Sequence, residues 1–137
     1  MPNWIRWILL LPAAVLAYFL VQVAGGLASE TWPLSDSMQD FLSQIFNSVL
    51  GPWALVRAGS AIAPWRNSFT VAVLLSIAYG LLSTGFVAYA LINGVEVGYP
   101  TWWFVTSSIL GLGALFYACH QVAERRAVKN AAAELSA

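Results

Sequence analysis

Charge is what this chain has least of. Charged residues make up 9 % of its 137 positions and hydrophobic residues 60 %, whereas a typical soluble domain has about 25 % and about 45–50 %. Six basic and six acidic residues cannot cover the surface of a soluble domain, which excludes a soluble monomer and a disordered tail. The equal numbers of basic and acidic residues also exclude a nucleic-acid-binding face. The composition therefore predicts an integral membrane protein.

Cysteine and histidine are nearly absent, with one of each in the chain. A single cysteine excludes a disulfide framework or a thiolate metal site within one chain, and a bis-histidine haem site would need a symmetric dimer. The sequence also lacks a glycine-rich phosphate loop, a metalloprotease or serine-hydrolase motif, and a carboxylate pair inside an apolar stretch. We therefore expect no metal, no cofactor and no enzymatic activity.

Four long apolar stretches follow one another along the chain. A helix that crosses a bilayer core needs roughly 20 mainly apolar residues. The stretches of this length are 4–26, 41–63, 69–92 and 101–122. The second is the most polar of the four. The predicted fold is an all-α, four-transmembrane-helix bundle of two helical hairpins, forming one domain over 1–137 with a cytoplasmic helical tail at 123–137.

Glycine, asparagine and serine residues predict where these helices begin and end. Gly25 and Gly26 are predicted to end the first helix. Asn67 or Ser68 can cap the start of the third helix, and Asn93-Gly94 can end it. These signals leave a very short connection between the second and third helices.

The basic residues indicate the direction of the helices. Four crossings place every basic side chain on or near one side, and the acidic residues of the first and third connections on the other. The basic set is Arg6, Arg57, Arg66, Arg125, Arg126 and Lys129, and the opposing acidic set is Glu30, Asp36, Asp40 and Glu96. Basic loops stay in the cytoplasm, so we expect both termini to be cytoplasmic and the protein to lie in a bacterial inner membrane.

Aromatic residues cluster at the predicted ends of the same helices. Trp4, Trp7 and Trp65 lie at one predicted boundary. Trp32, Tyr99, Trp102 and Trp103 lie at the other. Indole and phenol rings prefer the headgroup level because one end is apolar and the other is hydrated. We expect interfacial anchoring, with stacking on a ligand as the alternative.

The first stretch has an alternative interpretation as a cleaved signal peptide. Residues 26–28 (Gly-Leu-Ala) offer small side chains at a spacing suited to cleavage. The apolar core is longer than the usual about 7–15 residues, and only one arginine precedes it. A retained span is therefore the favoured prediction.

The segment 34–50 carries apolar residues at the spacing of an amphipathic helix. Ser35, Asp36 or Ser37 can cap its start. The segment is either the outer part of one long second helix with a kink near Pro52, or a helix lying flat on the membrane that turns at Gly51-Pro52. We favour the long helix.

Small residues recur along one side of each predicted span, and small residues let helices approach closely in lipid. They are Ala13 or Ala14, Ala17 and Ala24 in the first span, Ala54, Ala58 and Ala61 in the second, Ser76, Gly80, Thr84 and Ala88 in the third, and Ser107, Gly111, Ala114 and Ala118 in the fourth. These sides are predicted to meet in a compact bundle, or one of them to face a partner subunit.

Arg57 is the most informative polar residue. It lies about 9 Å, at 1.5 Å per residue, from the cytoplasmic end of its span, and its side chain tilts toward the membrane centre because this helix runs inward. A charge at such depth needs partners, and Ser76, Tyr117 and the carbonyl of Ile8 are the predicted acceptors. We expect Arg57 to face the bundle interior or a partner. Headgroup contact and binding of a substrate or ion are the alternatives.

Other polar residues fall into two groups. The outer half of the bundle contains Gln22, Asn47, Ser83, Thr84, Thr106 and Ser107, which predict interhelical hydrogen bonds or, alternatively, a hydrophilic vestibule. At the cytoplasmic end, His120 stands four positions before Glu124, which predicts a pair on the helix surface. Cys119 is expected to be a small apolar filler.

These features predict a non-enzymatic accessory, assembly or scaffold subunit that acts through helix–helix contacts. One alternative is an oligomeric transporter or channel component that uses Arg57 and the level of Asn47, Thr84 and Ser107 as a polar path. A second alternative is a lipid- or quinone-binding module with a cleft lined by aromatic residues such as Trp53, Tyr79 and Tyr117. The expected partners are membrane lipids, and a membrane-protein partner or further copies of the chain.

Overall fold

The computed structural model describes residues 3–31, 33, 35–94 and 101–135, without the side chains at 65, 101, 103 and 104. The elements are α1 (Asn3–Thr31), α2 (Asp36–Ile45), a π-helical segment (Phe46–Leu50), α3 (Gly51–Ile62), a 3₁₀ turn (Trp65–Asn67), α4 (Ser68–Asn93) and α5 (Thr101–Leu135). The all-helical prediction is confirmed. Among the described helices, α1, α4 and the part of α5 from 105 onward are long and apolar enough to cross a membrane.

The first helix is longer than predicted. Helix α1 continues through Gly25 and Gly26 to Thr31, so the prediction that these glycines end the helix is wrong. Gly25 serves packing instead, because a β-carbon there would lie 2.5 Å from the β-carbon of Phe46. In the last turn, the hydroxyls of Ser29 and Thr31 donate to the carbonyls of Gly26 and Leu27, each over 2.8 Å.

Helix α4 begins and ends at the residues that the sequence predicted. Asn67 is the N-cap residue, although its side chain makes no capping hydrogen bond. At the other end, Gly94 adopts the left-handed conformation with φ of 61°, and its N–H donates to the carbonyl of Ala90. A left-handed residue after the last turn suits glycine because it has no β-carbon.

The predicted second span is helical without interruption from Asp36 to Ile62. Its irregularity is the π-helical segment, which immediately precedes Gly51-Pro52. Pro52 has no N–H, so the carbonyl four residues earlier, that of Ser48, loses its usual donor. The N–H of Gly51 donates five residues back, to the carbonyl of Phe46, which is the π-helical pattern.

Helix α3 is the centre of the bundle, since it packs against α1, α4 and α5. Val56 of α3 is completely buried, in a cluster with Ala72 of α4 and with residues of α5. A second cluster joins Leu10, Ala63 and Val71 near the link between α3 and α4. Most buried apolar side chains in the described chain are alanine, valine or leucine, as expected for helices that pack closely through small residues.

The small residues predicted to line one side of each span are buried to different extents. All four members on α5 are buried: Ser107, Gly111, Ala114 and Ala118. On α4, Ser76 and Gly80 are half-buried, but Thr84 and Ala88 are exposed. Ala14 and Ala54 are buried, whereas Ala24 and Ala61 are exposed. The small residues of α1, α3 and α4 are therefore covered only in part by the bundle.

Only some of the aromatic and acidic residues predicted to lie at the helix ends are among the described residues. Trp4, Trp7 and Trp102 are exposed at 65 %, 47 % and 66 %. Trp32, Glu96 and Tyr99 lie outside the described residues, as do the side chains of Trp65 and Trp103.

Candidate functional site

A polar cavity lies between the π-helical segment, α4 and α5, with one residue of α1 in its wall. Its volume is about 310 Å³. Its polar lining consists of Tyr18, Gln44, Asn47, Ser48, Tyr79, Ser83, Ser107 and Ser108. Of these residues only the two tyrosines are titratable, so the cavity offers neutral hydrogen-bond donors and acceptors.

One hydrogen bond joins two walls of this cavity. Nε2 of Gln44 donates to Oγ of Ser107 over 2.8 Å, and Ser107 is only 6 % exposed. The sequence predicted interhelical hydrogen bonds of this kind for the polar residues in the outer half of the bundle, which include Ser107. Gln44 itself was not singled out from the sequence, although residues 44, 47 and 48 share one helix face by their spacing of three and four.

Two tyrosines form another part of the wall. The ring of Tyr18 on α1 lies 5.9 Å from the ring of Tyr79 on α4, at an interplanar angle of 51°. Nearby on α1, Nε2 of Gln22 lies 3.0 Å from the place a β-carbon would occupy on Gly51. Gln22 therefore packs against the start of α3 and is not among the lining residues.

A second cavity, of about 400 Å³, contains Arg57. We call it the basic cavity, and its walls include Trp53, Arg57, Ser60, Ser68, Val122 and Arg125. The guanidinium carbon of Arg57 lies 5.8 Å from the ring centre of Trp53, within the range of a cation–π contact. Trp53 is in turn held by α5, because its Nε1 donates to Oε1 of Gln121 over 3.3 Å.

The partners of Arg57 differ from the acceptors that the sequence suggested. Oγ of Ser76 lies 3.1 Å from Sγ of Cys119. The side chain of Tyr117 is 57 % exposed and lines a small apolar cavity with Trp53. Arg57 instead contacts the ring of Trp53 and shares the basic cavity with Arg125. The pairing of Trp53 with Gln121 has no local signal, because 68 positions separate them.

An open cleft adjoins the basic cavity. Ser60, Ala61 and Arg125 line both spaces, and the cleft also contacts Arg6, Glu124 and Lys129. The start of α1, the end of α3 and the last part of α5 thus meet at one end of the molecule, which concentrates basic residues there. His120 and Glu124 form the predicted surface pair, with Nδ1 and Oε2 3.7 Å apart.

The remaining predicted groups divide between the cavities and the surface. Asn47, Ser83 and Ser107 share the polar cavity, whereas Thr84 is exposed on α4. The hydroxyl of Thr106 donates to the carbonyl of Trp102 over 2.7 Å. Of the three aromatic residues suggested for a quinone cleft, Trp53 and Tyr117 share the apolar cavity, of about 220 Å³, but Tyr79 lines the polar cavity.

Neither cavity carries the donor set of a metal centre. Within the described part of the chain, no group of three or more His, Cys, Asp or Glu side chains could hold a metal ion. Comparison of the chain with protein-family models, curated proteins and solved structures gives no match. The residues of the two cavities and the exposed helix faces are therefore the features that indicate a function.

Proposed function

We propose that this chain is a four-span protein of a bacterial inner membrane with both termini in the cytoplasm, and that it is a non-enzymatic accessory or assembly subunit acting through helix–helix contacts. The continuous helix from Asp36 to Ile62 supports a fourth crossing, because it extends over about 40 Å at 1.5 Å per residue and the hydrocarbon core is about 30 Å thick. The basic residues around the open cleft support the orientation, since basic ends stay cytoplasmic.

The main observation in favour of the accessory role is where the glycines of the helices lie relative to neighbouring helices. Glycine in a helix costs about 0.8–1.0 kcal/mol relative to alanine. At Gly25, Gly51, Gly59 and Gly111, an atom of a neighbouring element occupies the place of the β-carbon. These four glycines are therefore explained by close packing inside the bundle.

Gly85 on α4 and Gly113 on α5 have no such neighbour. Both are exposed, and a β-carbon at either would meet nothing within 4 Å. Thr84 and Ala88 extend the uncovered small surface around Gly85. A smooth helix face allows a second helix to approach closely in lipid. We infer that this part of α4 receives a helix of a membrane-protein partner or of another copy of the chain.

The test is purification in mild detergent followed by native mass spectrometry. The unmodified protein is expected as a complex of fixed stoichiometry. Gly85→Leu fills the smooth face and is expected to reduce the complex about tenfold, equivalent to about 1.4 kcal/mol. Leu91→Phe is the matched control, because it adds bulk on the same helix about 120° away. Isolation of the unmodified protein as a lone monomer, or equal losses in the two variants, contradicts the proposal.

The polar cavity favours a second candidate function, an oligomeric transporter or channel component. Gln44, Asn47 and Ser107 would form part of a path for a small neutral polar solute. Asn47→Ala is then expected to reduce glycerol flux into proteoliposomes several-fold. Thr84→Ala, which alters an exposed polar residue outside the cavity, is expected to leave the flux unchanged. Equal flux for both variants and the unmodified protein would remove this cavity from any transport mechanism.

A further inference from the structure

The basic cavity brings two guanidinium groups to one space. Arg57 and Arg125 both line it, and none of its lining residues is acidic. Like charges at short range in a partly desolvated site are unfavourable unless an opposite charge joins them.

The described part of the chain does not supply that opposite charge. Neither Arg57 nor Arg125 forms an ion pair with a described carboxylate. Glu124 lines the adjoining cleft, but its carboxylate faces His120 at 3.7 Å. Arg57 is instead held in place from the side, by the ring of Trp53 at 5.8 Å. This contact positions the Arg57 cation at the wall of the cavity.

The start of α4 adds to the positive potential of the cavity. Ser68 is the first residue of this helix, is 4 % exposed and lines the basic cavity. The positive end of the α4 dipole therefore lies at the wall of the same space. Backbone N–H groups at a helix start and guanidinium groups are the donors that bind phosphate in proteins.

We propose that the basic cavity binds a phosphate group between Arg57 and Arg125, and that this group is the phosphodiester of an anionic phospholipid headgroup. The lipid source follows from the cavity's surroundings. Ala54, Ala58 and Val122 provide apolar wall beside the two cations, and the open cleft gives a headgroup a way in. In the proposed topology this end of the bundle lies at the cytoplasmic headgroup level, so the lipid source rests on that topology whereas the phosphate chemistry does not.

The experiment measures ligand-bound protein by native mass spectrometry of the purified full chain in detergent. The probes are phosphatidylglycerol, zwitterionic phosphatidylcholine and inorganic phosphate, each added over a concentration series. Phosphatidylglycerol is expected to bind at least tenfold more tightly than phosphatidylcholine. Arg57→Gln and Arg125→Gln are each expected to weaken phosphatidylglycerol binding about tenfold. Arg126→Gln is the matched control, because it removes the same charge one residue along α5 and outside the cavity, and it is expected to change binding less than twofold.

Each outcome bears on the proposal. Equal weakening by Arg125→Gln and Arg126→Gln means general surface attraction and overturns the site, as does unchanged binding in both cavity variants. Binding of inorganic phosphate alone, lost in Arg125→Gln, supports the phosphate site and overturns its lipid source. If Arg57→Gln does not yield monodisperse protein, the exposed Arg125 decides the question. The measurement needs no partner protein, so loss of the accessory role would leave this result unaffected.

Discussion

At the scale of single residues, Gly111 shows how the bundle accommodates Pro52. The carbonyl of Ser48, which Pro52 deprives of its donor, faces α5 at Gly111. A β-carbon on Gly111 would lie 2.8 Å from that oxygen. The glycine therefore lets the backbone of α5 approach the carbonyl closely, an arrangement typical of Cα–H···O contacts between helices.

Substitution of this glycine tests the contact directly. Gly111→Ala is expected to destabilise the protein by about 1–3 kcal/mol, because the new methyl group meets backbone that cannot move aside easily. Gly113→Ala is the matched control, since nothing lies within 4 Å of its added carbon, and it is expected to leave stability unchanged or raise it by up to about 1 kcal/mol. Thermal unfolding in detergent measures both. Equal effects would contradict the close approach at Gly111.

The bond between Gln44 and Ser107 is a second prediction for single residues. A double-mutant cycle of Gln44→Leu and Ser107→Ala is expected to give a coupling energy of about 0.6–1.7 kcal/mol, the range for interhelical hydrogen bonds in membranes. A parallel cycle with Thr106→Ala is expected to give none, because the Thr106 hydroxyl bonds within its own helix. Denaturation midpoints provide the energies. Similar coupling at Thr106 and Ser107 would speak against the 2.8 Å bond.

At the scale of secondary-structure elements, the π-helical segment is the least regular part of the molecule. It places Asn47 and Ser48 in the polar cavity while α3 continues into the core. A π-bulge is a single wide turn within an α-helix and is often found at functional sites. Its wide turn accommodates one residue more than an α-helical turn over nearly the same rise.

Removing one residue from this segment is therefore expected to be tolerated. Deletion of Val49 should convert the wide turn to α-helix and keep both α2 and α3 in register, so the protein is expected to stay monodisperse in size-exclusion chromatography. Deletion of Leu55, inside α3, shifts the buried face of a regular helix by about 100° and is expected to abolish folding. The explanation fails if the Val49 deletion aggregates as readily as the Leu55 deletion.

At the scale of the whole molecule, basic residues from two helices collect at one end of the bundle. The open cleft collects Arg6, Arg125 and Lys129 from α1 and α5. The link from Ala63 to Asn67 lies beside it, because Ala63 is also part of the cleft lining. The proposed topology places this end in the cytoplasm, and it places α2 and the end of α4 on the other side.

Cysteine labelling measures this arrangement. In a Cys119→Ala background, a membrane-impermeant maleimide is expected to label Asn67→Cys and Ala131→Cys only after the membrane is opened. Ser37→Cys and Asn93→Cys are expected to react in intact cells, because an odd number of crossings separates each of them from positions 67 and 131. Labelling of positions 37 and 67 from the same side would refute the fourth crossing, and labelling of positions 67 and 131 in intact cells would refute the cytoplasmic location on which the lipid source of the basic cavity depends.

Several features of the fold were predictable from local sequence. The helical segments, the turn at Gly94 and the pair of His120 and Glu124 all depend on residues within a few positions of one another. The end assigned to α1 was wrong, because glycine signals both helix ends and close packing, and only the position of Phe46 shows which applies. Of the polar residues predicted at one level, Asn47, Ser83 and Ser107 line the polar cavity, whereas Thr84 is exposed on α4.

Composition and periodicity were sufficient for an all-helical chain and for three of the four predicted spans, those of α1, α4 and α5, because hydropathy and helix length are properties of a continuous stretch of chain. Folding in three dimensions decided which face of each helix is covered and which side chains surround Arg57. Those outcomes depend on contacts such as Gln44 with Ser107 and Trp53 with Gln121, whose members are 63 and 68 positions apart. Local spacing does not specify such contacts, since they arise from how whole helices pack against one another.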